Sequence, residues 1–257
     1  MSLPPDPRVK ILALAALHRS RAAFRTFHYP APPRSLPGPA MHAPLSIGFL
    51  LYPHLTQLDL TGPAQVFSHL PGATLHLVAK ARASVPCDGG IALTPTTDFD
   101  TCPPLDILCV PGGPGTLAAM RDAPTLAWLR RQGERAAWVT SVCSGSLLLG
   151  AAGLLQGYRA ACHWNYREHL ARFGAVPDAA RIVRDRNRVS GGGVTAGIDF
   201  ALELAALTHG RDQARAITLM LEYAPAPPFD CGRPEQADAA TIARAVAALD
   251  AAVARLS

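Results

Sequence analysis

No two cysteines in this 257-residue chain stand in a CxxC pattern or at a zinc-binding spacing, although there are six: Cys87, Cys102, Cys109, Cys143, Cys162 and Cys231. Such scatter argues against a disulfide framework and for a reducing, cytoplasmic setting, and no metal site is expected. Apolar runs of the roughly 18 residues needed to span a bilayer are missing, so a soluble protein is expected. There is no internal repeat and no low-complexity tract. Gly191-Gly192-Gly193 lacks both the G-x-G-x-x-G spacing and a following lysine, which argues against a nucleotide site.

Excess charge is also missing from most of the chain. The formal net charge is +5, but all of it lies in residues 1–40, where Arg8, Lys10, Arg19, Arg21, Arg25 and Arg34 face Asp6 alone. The remainder is balanced, and calls for neither nucleic acid nor an acidic membrane surface. The basic opening segment, 1–43, is rich in proline and lacks the serine enrichment of a transit peptide, and its apolar piece Ile11–Leu17 is short for a secretory signal. It reads as a disordered extension or as sequence upstream of a true start at Met41, and is set apart from the fold.

What is present is an alternation of apolar strands and helical segments. Leu45–Tyr52, Ala73–Ala79, Leu105–Val110 and Ala136–Val142 read as strands, with Gly89-Gly90 marking a hairpin. Helical patterns follow from about Thr61, over Leu117–Glu134 with a break near Pro124, and from Gly145 to about Leu155. A small hairpin around Asp185–Arg188 leads to helices from about Thr195 and over Arg211–Glu222. Tyr223–Phe229 is extended, and residues 237–256 read as a terminal helix. Strands alternating with helices predict an α/β domain over 44–229: a three-layer sandwich with a mostly parallel central sheet flanked by helices, followed by a C-terminal helix in 230–257.

Within this pattern Cys143 stands where a buried strand breaks directly into a helix, followed by Ser144, Gly145 and Ser146. A turn that sharp exposes its apex side chain and needs small neighbours, as a nucleophile elbow does. Facing the helix N-terminus, the thiol is expected to have a lowered pKa. The alternative is a buried structural cysteine.

Ligands of an open parallel sheet bind beyond the carboxyl ends of its strands. That rule gathers Gln57–Pro63, Gly112-Gly113, Cys143 and Gly191–Gly193 at one place. Asp59, between two leucines, is either an acid–base group with a raised pKa or a helix cap. Gly112-Gly113 is either part of an oxyanion hole or a strand-ending turn. Because Pro114 has no N–H, the backbone donor there must be Gly113 or Gly115, with the Ser144 amide as the second. His163, beside Trp164, is either a base for the cysteine or a packed ring. His163, Trp164 and Gly112 are the candidate pocket residues.

In combination, Gln57–Pro63, Pro111-Gly112-Gly113, Val139–Cys143, Gly150–Leu155, His163-Trp164 and Leu221–Phe229 resemble the ThiJ/PfpI superfamily, which has a class I glutamine amidotransferase-like, flavodoxin-like fold. The similarity is greatest to its members that hydrate organic isonitriles to N-substituted formamides. This resemblance implies Cys143 as nucleophile, Asp59 as its acid–base partner, and a homodimer acting on a small neutral organic substrate without cofactor. It also implies a threonine after the cysteine, where this chain has Ser144. Ser144 keeps the hydroxyl but loses the methyl that restricts its rotamer.

Three other readings stay open. Glyoxalase-like relatives use Glu where this chain has Asp59, and peptidase-like ones place His where it has Ser144. The sensor half of an AraC-type regulator is also similar, but the 28 residues after Phe229 are too few for two helix-turn-helix units. A thiol redox sensor would use Cys143 itself.

Overall fold

The structure, a computed structural model, describes residues 44–256; the basic segment 1–43 lies outside them. Eleven strands occur among these residues: β1 Leu45–Leu50, β2 Ala73–Ala79, β3 Val85–Pro86, β4 Ala92–Leu93, β5 Thr97–Asp98, β6 Ile107–Val110, β7 Trp138–Val142, β8 Arg159–Ala160, β9 Val176–Pro177, β10 Ile182–Asp185 and β11 Arg188–Gly191. Seven of them form the central sheet, in the order β10-β11-β7-β6-β1-β2-β5. Every neighbouring pair in it is parallel except the edge hairpin β10–β11. This is the mostly parallel sheet expected from the alternation of elements. The second hairpin, β3–β4, closes around Asp88–Gly90, where the glycine pair indicated it.

The helices are α1 Gln57–Phe67, α2 Thr116–Ala119, α3 Ala123–Gly133, α4 Gly145–Ala151, α5 Ala196–His209, α6 Arg211–Met220 and α7 Ala239–Ala254. One group packs α1 against α5 and α5 against α6; another brings α2 and α3 to α4. The core between sheet and helices is aromatic at its centre. Phe49 of β1, Phe67 of α1 and Phe200 of α5 are fully buried, with consecutive ring centroids 6.3 and 6.4 Å apart. Such tilted pairs stabilise beyond their area of burial. Among the described residues no helix is long and apolar enough to cross a membrane.

Two boundaries depart from the sequence reading in ways that matter for function. Helix α1 begins at Gln57, four residues before the expected Thr61. Its start is held from outside: Asp88, in the β3–β4 hairpin, accepts from Thr56 Oγ1 at 2.6 Å and from the Gln57 amide at 3.3 Å. A cap supplied by a residue distant in sequence leaves no local signal, and it places Asp59 inside the first turn rather than ahead of it. Helix α4 ends at Ala151 rather than near Leu155, with Gly153 in a left-handed conformation just beyond it. Two turns of helix give a small dipole.

Candidate active site

Strands β1, β6, β7 and β11 end at the same edge of the sheet, and the four segments singled out in the sequence meet there. The Gly112 amide donates to Asp59 Oδ2 at 2.8 Å, the Gly113 amide to Ser144 Oγ at 3.0 Å, and the Cys143 amide to Gly191 O at 3.0 Å. Each bond joins a different pair of loops. The carboxyl ends of the strands are therefore tied into one rigid cluster around Cys143.

Cys143 has φ 57°, a left-handed conformation that a non-glycine residue adopts only when its surroundings enforce it. Its neighbours show what the turn demands. A Cβ on Gly145 would lie 2.2 Å from Val110 O, and one on Gly112 would lie 2.5 Å from the Ser144 amide nitrogen and 2.6 Å from Ser144 Oγ. Only glycine at both positions lets the β6 loop close on the elbow. Beneath it, Ser146 Oγ donates to Ala161 O at 2.6 Å and lies 2.8 Å from Ser141 Oγ, which fixes the chain leading to Cys162.

The elbow geometry matches the sequence reading, but the electrostatics do not. Burial raises the Cys143 thiol well above its ordinary pKa, and the nearby Asp59 and Cys162 push it further; the Ser144 amide and hydroxyl only partly oppose this. Desolvation outweighs the lowering of the pKa expected from a helix N-terminus. Burial likewise pushes Asp59 up to about 8, against the pull of the Gly112 amide and the Cys143 thiol. Asp59 Oδ1 is buried without a hydrogen-bond partner. At neutral pH the cluster therefore holds its protons: a thiol beside a largely neutral carboxylic acid.

Other expectations shift in detail. Asp59 does not cap α1; its carboxyl reaches across to Gly112. The two glycine amides named as anion donors are both engaged, Gly113 with Ser144 Oγ and Gly115 with His54 O at 3.1 Å. His163 is half-buried, with its ring centroid 5.5 Å from Trp164 and 5.8 Å from Tyr166, and its Nδ1 accepts from the Asn165 amide at 3.4 Å. Desolvation lowers its pKa, and it stands in an aromatic cluster, its packed alternative.

A cavity of about 1000 Å³ lies on the far side of Tyr52, and neither Cys143, Asp59 and Ser144 nor His163, Trp164 and Gly112 line it. Its walls include Tyr52, Pro53, His54, Gly115 and Leu117, with Val253 and Leu256 from the end of the chain. Two residues that the sequence reading passed over join this wall to the elbow. Tyr52 Oη donates to Pro111 O at 2.8 Å and lies 3.0 Å from Thr116 Oγ1, which is 2.9 Å from Ser144 Oγ. Both follow strand ends, so the carboxyl-end rule covers them; nothing in their residue type marked them.

The fold and this cluster together define an α/β protein with a cysteine at a strand-to-helix elbow. The chain belongs to the DJ-1/PfpI family, whose model matches residues 45–207. It is 54% identical over 198 residues to the isonitrile hydratase of Pseudomonas putida, covering 77% of this chain and 87% of that protein. A ThiJ/PfpI family protein from Pseudomonas syringae has a solved structure that superposes with a TM-score of 0.80 at 45% identity, over 86% of this chain and 95% of that one. The HTH-type transcriptional regulator GbdR of Pseudomonas aeruginosa is 32% identical over 195 residues, which is 72% of this chain but only 52% of the regulator.

Proposed function

We propose that this protein is a hydro-lyase that adds water to an organic isonitrile and releases the N-substituted formamide. The observation that carries this reading is the 54% identity to an isonitrile hydratase over most of both chains. The regulator similarity is weaker and covers about half of the regulator's length.

In this reading Cys143 is the nucleophile and Asp59 the acid–base partner. The terminal carbon of R–N≡C carries a lone pair and becomes electrophilic once protonated. Asp59, neutral because it is buried, gives its proton to that carbon while the Cys143 sulfur bonds to it, and the thiol proton returns to the Asp59 carboxylate. The product is the thioimidate R–N=CH–S–Cys143, with Asp59 again protonated. Asp59 next protonates the nitrogen as water adds to the same carbon and returns a proton to the carboxylate. Loss of the hydroxyl proton and departure of sulfur then give R–NH–CHO and the free thiol. A raised carboxyl pKa suits this cycle, since the same group donates and accepts in each half.

Small neutral substrates match the balanced charge of residues beyond the opening segment and a site without a fixed ion pair at its centre. A homodimer belongs to the same reading and is checked by sedimentation of the purified chain. The activity test is formamide production from cyclohexyl isocyanide by the purified protein: turnover that is lost in Cys143→Ala is expected, and the absence of any formamide from the intact protein sinks the reading.

A further inference from the structure

We propose that Asp88, at the tip of the β3–β4 hairpin, is a positioning residue for the reaction: it holds the turn that delivers the Asp59 carboxyl to the site. The inference rests on reading Asp59 as the acid–base group, and it follows from the bonds between two segments distant in sequence. The hairpin grips the chain leading into α1 residue by residue. The His54 amide donates to Pro86 O at 2.7 Å, the Asp88 amide to Leu55 O at 2.9 Å, Thr56 Oγ1 to Asp88 Oδ2 at 2.6 Å and the Gln57 amide to Asp88 Oδ1 at 3.3 Å. Both carboxylate oxygens of Asp88 are committed, so this side chain cannot turn without releasing the start of α1. The glycine pair that marked the hairpin in the sequence follows directly: φ of 68° at Gly89 and 80° at Gly90 turns the chain back and leaves Asp88 facing α1.

From Thr56 the bonds run on into the site. The Thr56 amide donates to Gly112 O at 2.8 Å, the Asp59 amide donates to Thr56 O at 3.1 Å, and the Gly112 amide donates to Asp59 Oδ2 at 2.8 Å. These bonds close a ring through Thr56, Gly112 and Asp59, and Thr56 is the member that Asp88 anchors through its side chain. Gly112 is itself pressed against the Ser144 amide, so a Thr56 that moved would draw Asp59 away from a partner unable to follow. A displacement of about 1 Å at a reacting group can cost about 10²-fold in rate. The ionisable groups facing Asp59 are Tyr52 after β1, Asp88 from the hairpin, Cys143 after β7 and Cys162 after β8. None is a cation, and Asp88 is the one carboxylate among them. Its charge disfavours a second negative charge at Asp59, so the residue that aims the acid also helps it keep its proton.

Two variants of the full-length protein separate the grip from the charge. Asp88→Ala removes both, and kcat and kcat/KM for the isonitrile are expected to fall together by about 10- to 100-fold. Asp88→Asn removes the charge and keeps the grip, because its amide oxygen accepts from the Gln57 amide and its N–H donates to Thr56 Oγ1. Most of kcat is therefore expected to return in mildly acidic solution. The protonated Asp59 carboxyl is followed without substrate, as the infrared carbonyl band that disappears in Asp59→Asn. Its titration midpoint, about 8 in the native protein, is expected to move down by about half a pH unit in both Asp88 variants. Unchanged kcat in a folded Asp88→Ala overturns the proposal, as does an Asp88→Asn equally slow, or a loss of kcat with the midpoint unmoved. Should Asp88→Ala not fold, Thr56→Val decides: loss of the hydroxyl bond alone is expected to lower kcat about fivefold, and no change overturns the proposal. A protein that makes no formamide removes the isonitrile reading and leaves the infrared titration to decide, with an unmoved midpoint in Asp88→Ala counting against Asp88.

Discussion

Cys109 and Cys143 are the same residue type on neighbouring parallel strands, both buried, with Cys109 paired in register with Thr140 three positions before Cys143. Cys109 lies inside β6 with ordinary strand geometry, and Thr140 Oγ1 is 3.0 Å from its sulfur. Burial alone pushes its thiol up to about 12, and no carboxyl group contributes. Cys143 sits one residue past β7 with a left-handed backbone, and Asp59 shares its pocket. Burial therefore does not distinguish a structural cysteine from the proposed nucleophile. The difference is a backbone turn that carries the sulfur to the sheet edge, together with a second proton-holding group brought there from another loop.

The comparison breaks first at the sulfur itself. Cys143→Ala is expected to reduce isonitrile turnover by about 10³-fold or more while the protein stays folded, as measured by formamide release and circular dichroism. Retained turnover would erase the distinction between the two cysteines.

Asp59→Asn comes next, with kcat expected to fall about 10²- to 10⁴-fold. Because the acid form of Asp59 donates, wild-type activity should decline as pH rises through about 8, and that limb should be missing from the residual activity of the variant. The stability effect has the opposite sign to that of an ordinary surface aspartate. A folded pKa above the unfolded one means that the native state binds more protons between roughly pH 4 and 8, so this group erodes stability as pH rises through that window. Asp59→Asn is therefore expected to melt above wild type at alkaline pH, and a lower melting temperature there would contradict a neutral buried acid.

Gly112→Ala tests the turn without touching either reacting group. Its Cβ would press on the Ser144 amide and hydroxyl, and neither can move without displacing Cys143. A loss of about 1–3 kcal/mol is expected, seen in denaturant unfolding, together with reduced kcat. The smallest effect belongs to Cys109→Ala: about 1 kcal/mol of stability, or roughly 2–4 °C in Tm, with kcat unchanged. A large activity loss at Cys109 would show that the two strands are not chemically separate.

Much of this molecule was legible before its structure. Nearly continuous apolar runs ended by proline marked β1 and β6, because a strand buried on both faces is apolar almost throughout. Small residues after Cys143 marked the elbow, because a tight turn admits no others. Helix limits were less legible. The start of α1 depends on Asp88, thirty-one positions after Gln57, and local patterning contains no trace of such a cap. Spacing could not choose between His163 as a base for Cys143 and His163 as a packed ring, and its ring contacts with Trp164 and Tyr166 depend on the path of a loop that separation along the chain does not give.

Sequence alone determined the order of the strands and helices, the membership of a cysteine-elbow family, and the identity of the residue at the apex. The element order and the apex residue follow from local composition and periodicity, and the family from motifs shared along the chain. Only the tertiary structure decided the protonation of the site. Whether Cys143 rests as thiol or thiolate depends on how completely the surrounding loops exclude water and on the groups they bring beside the sulfur, Asp59 among them. Desolvation and hydrogen-bond direction are sums over groups far apart in the chain, so they come into being only when the loops meet.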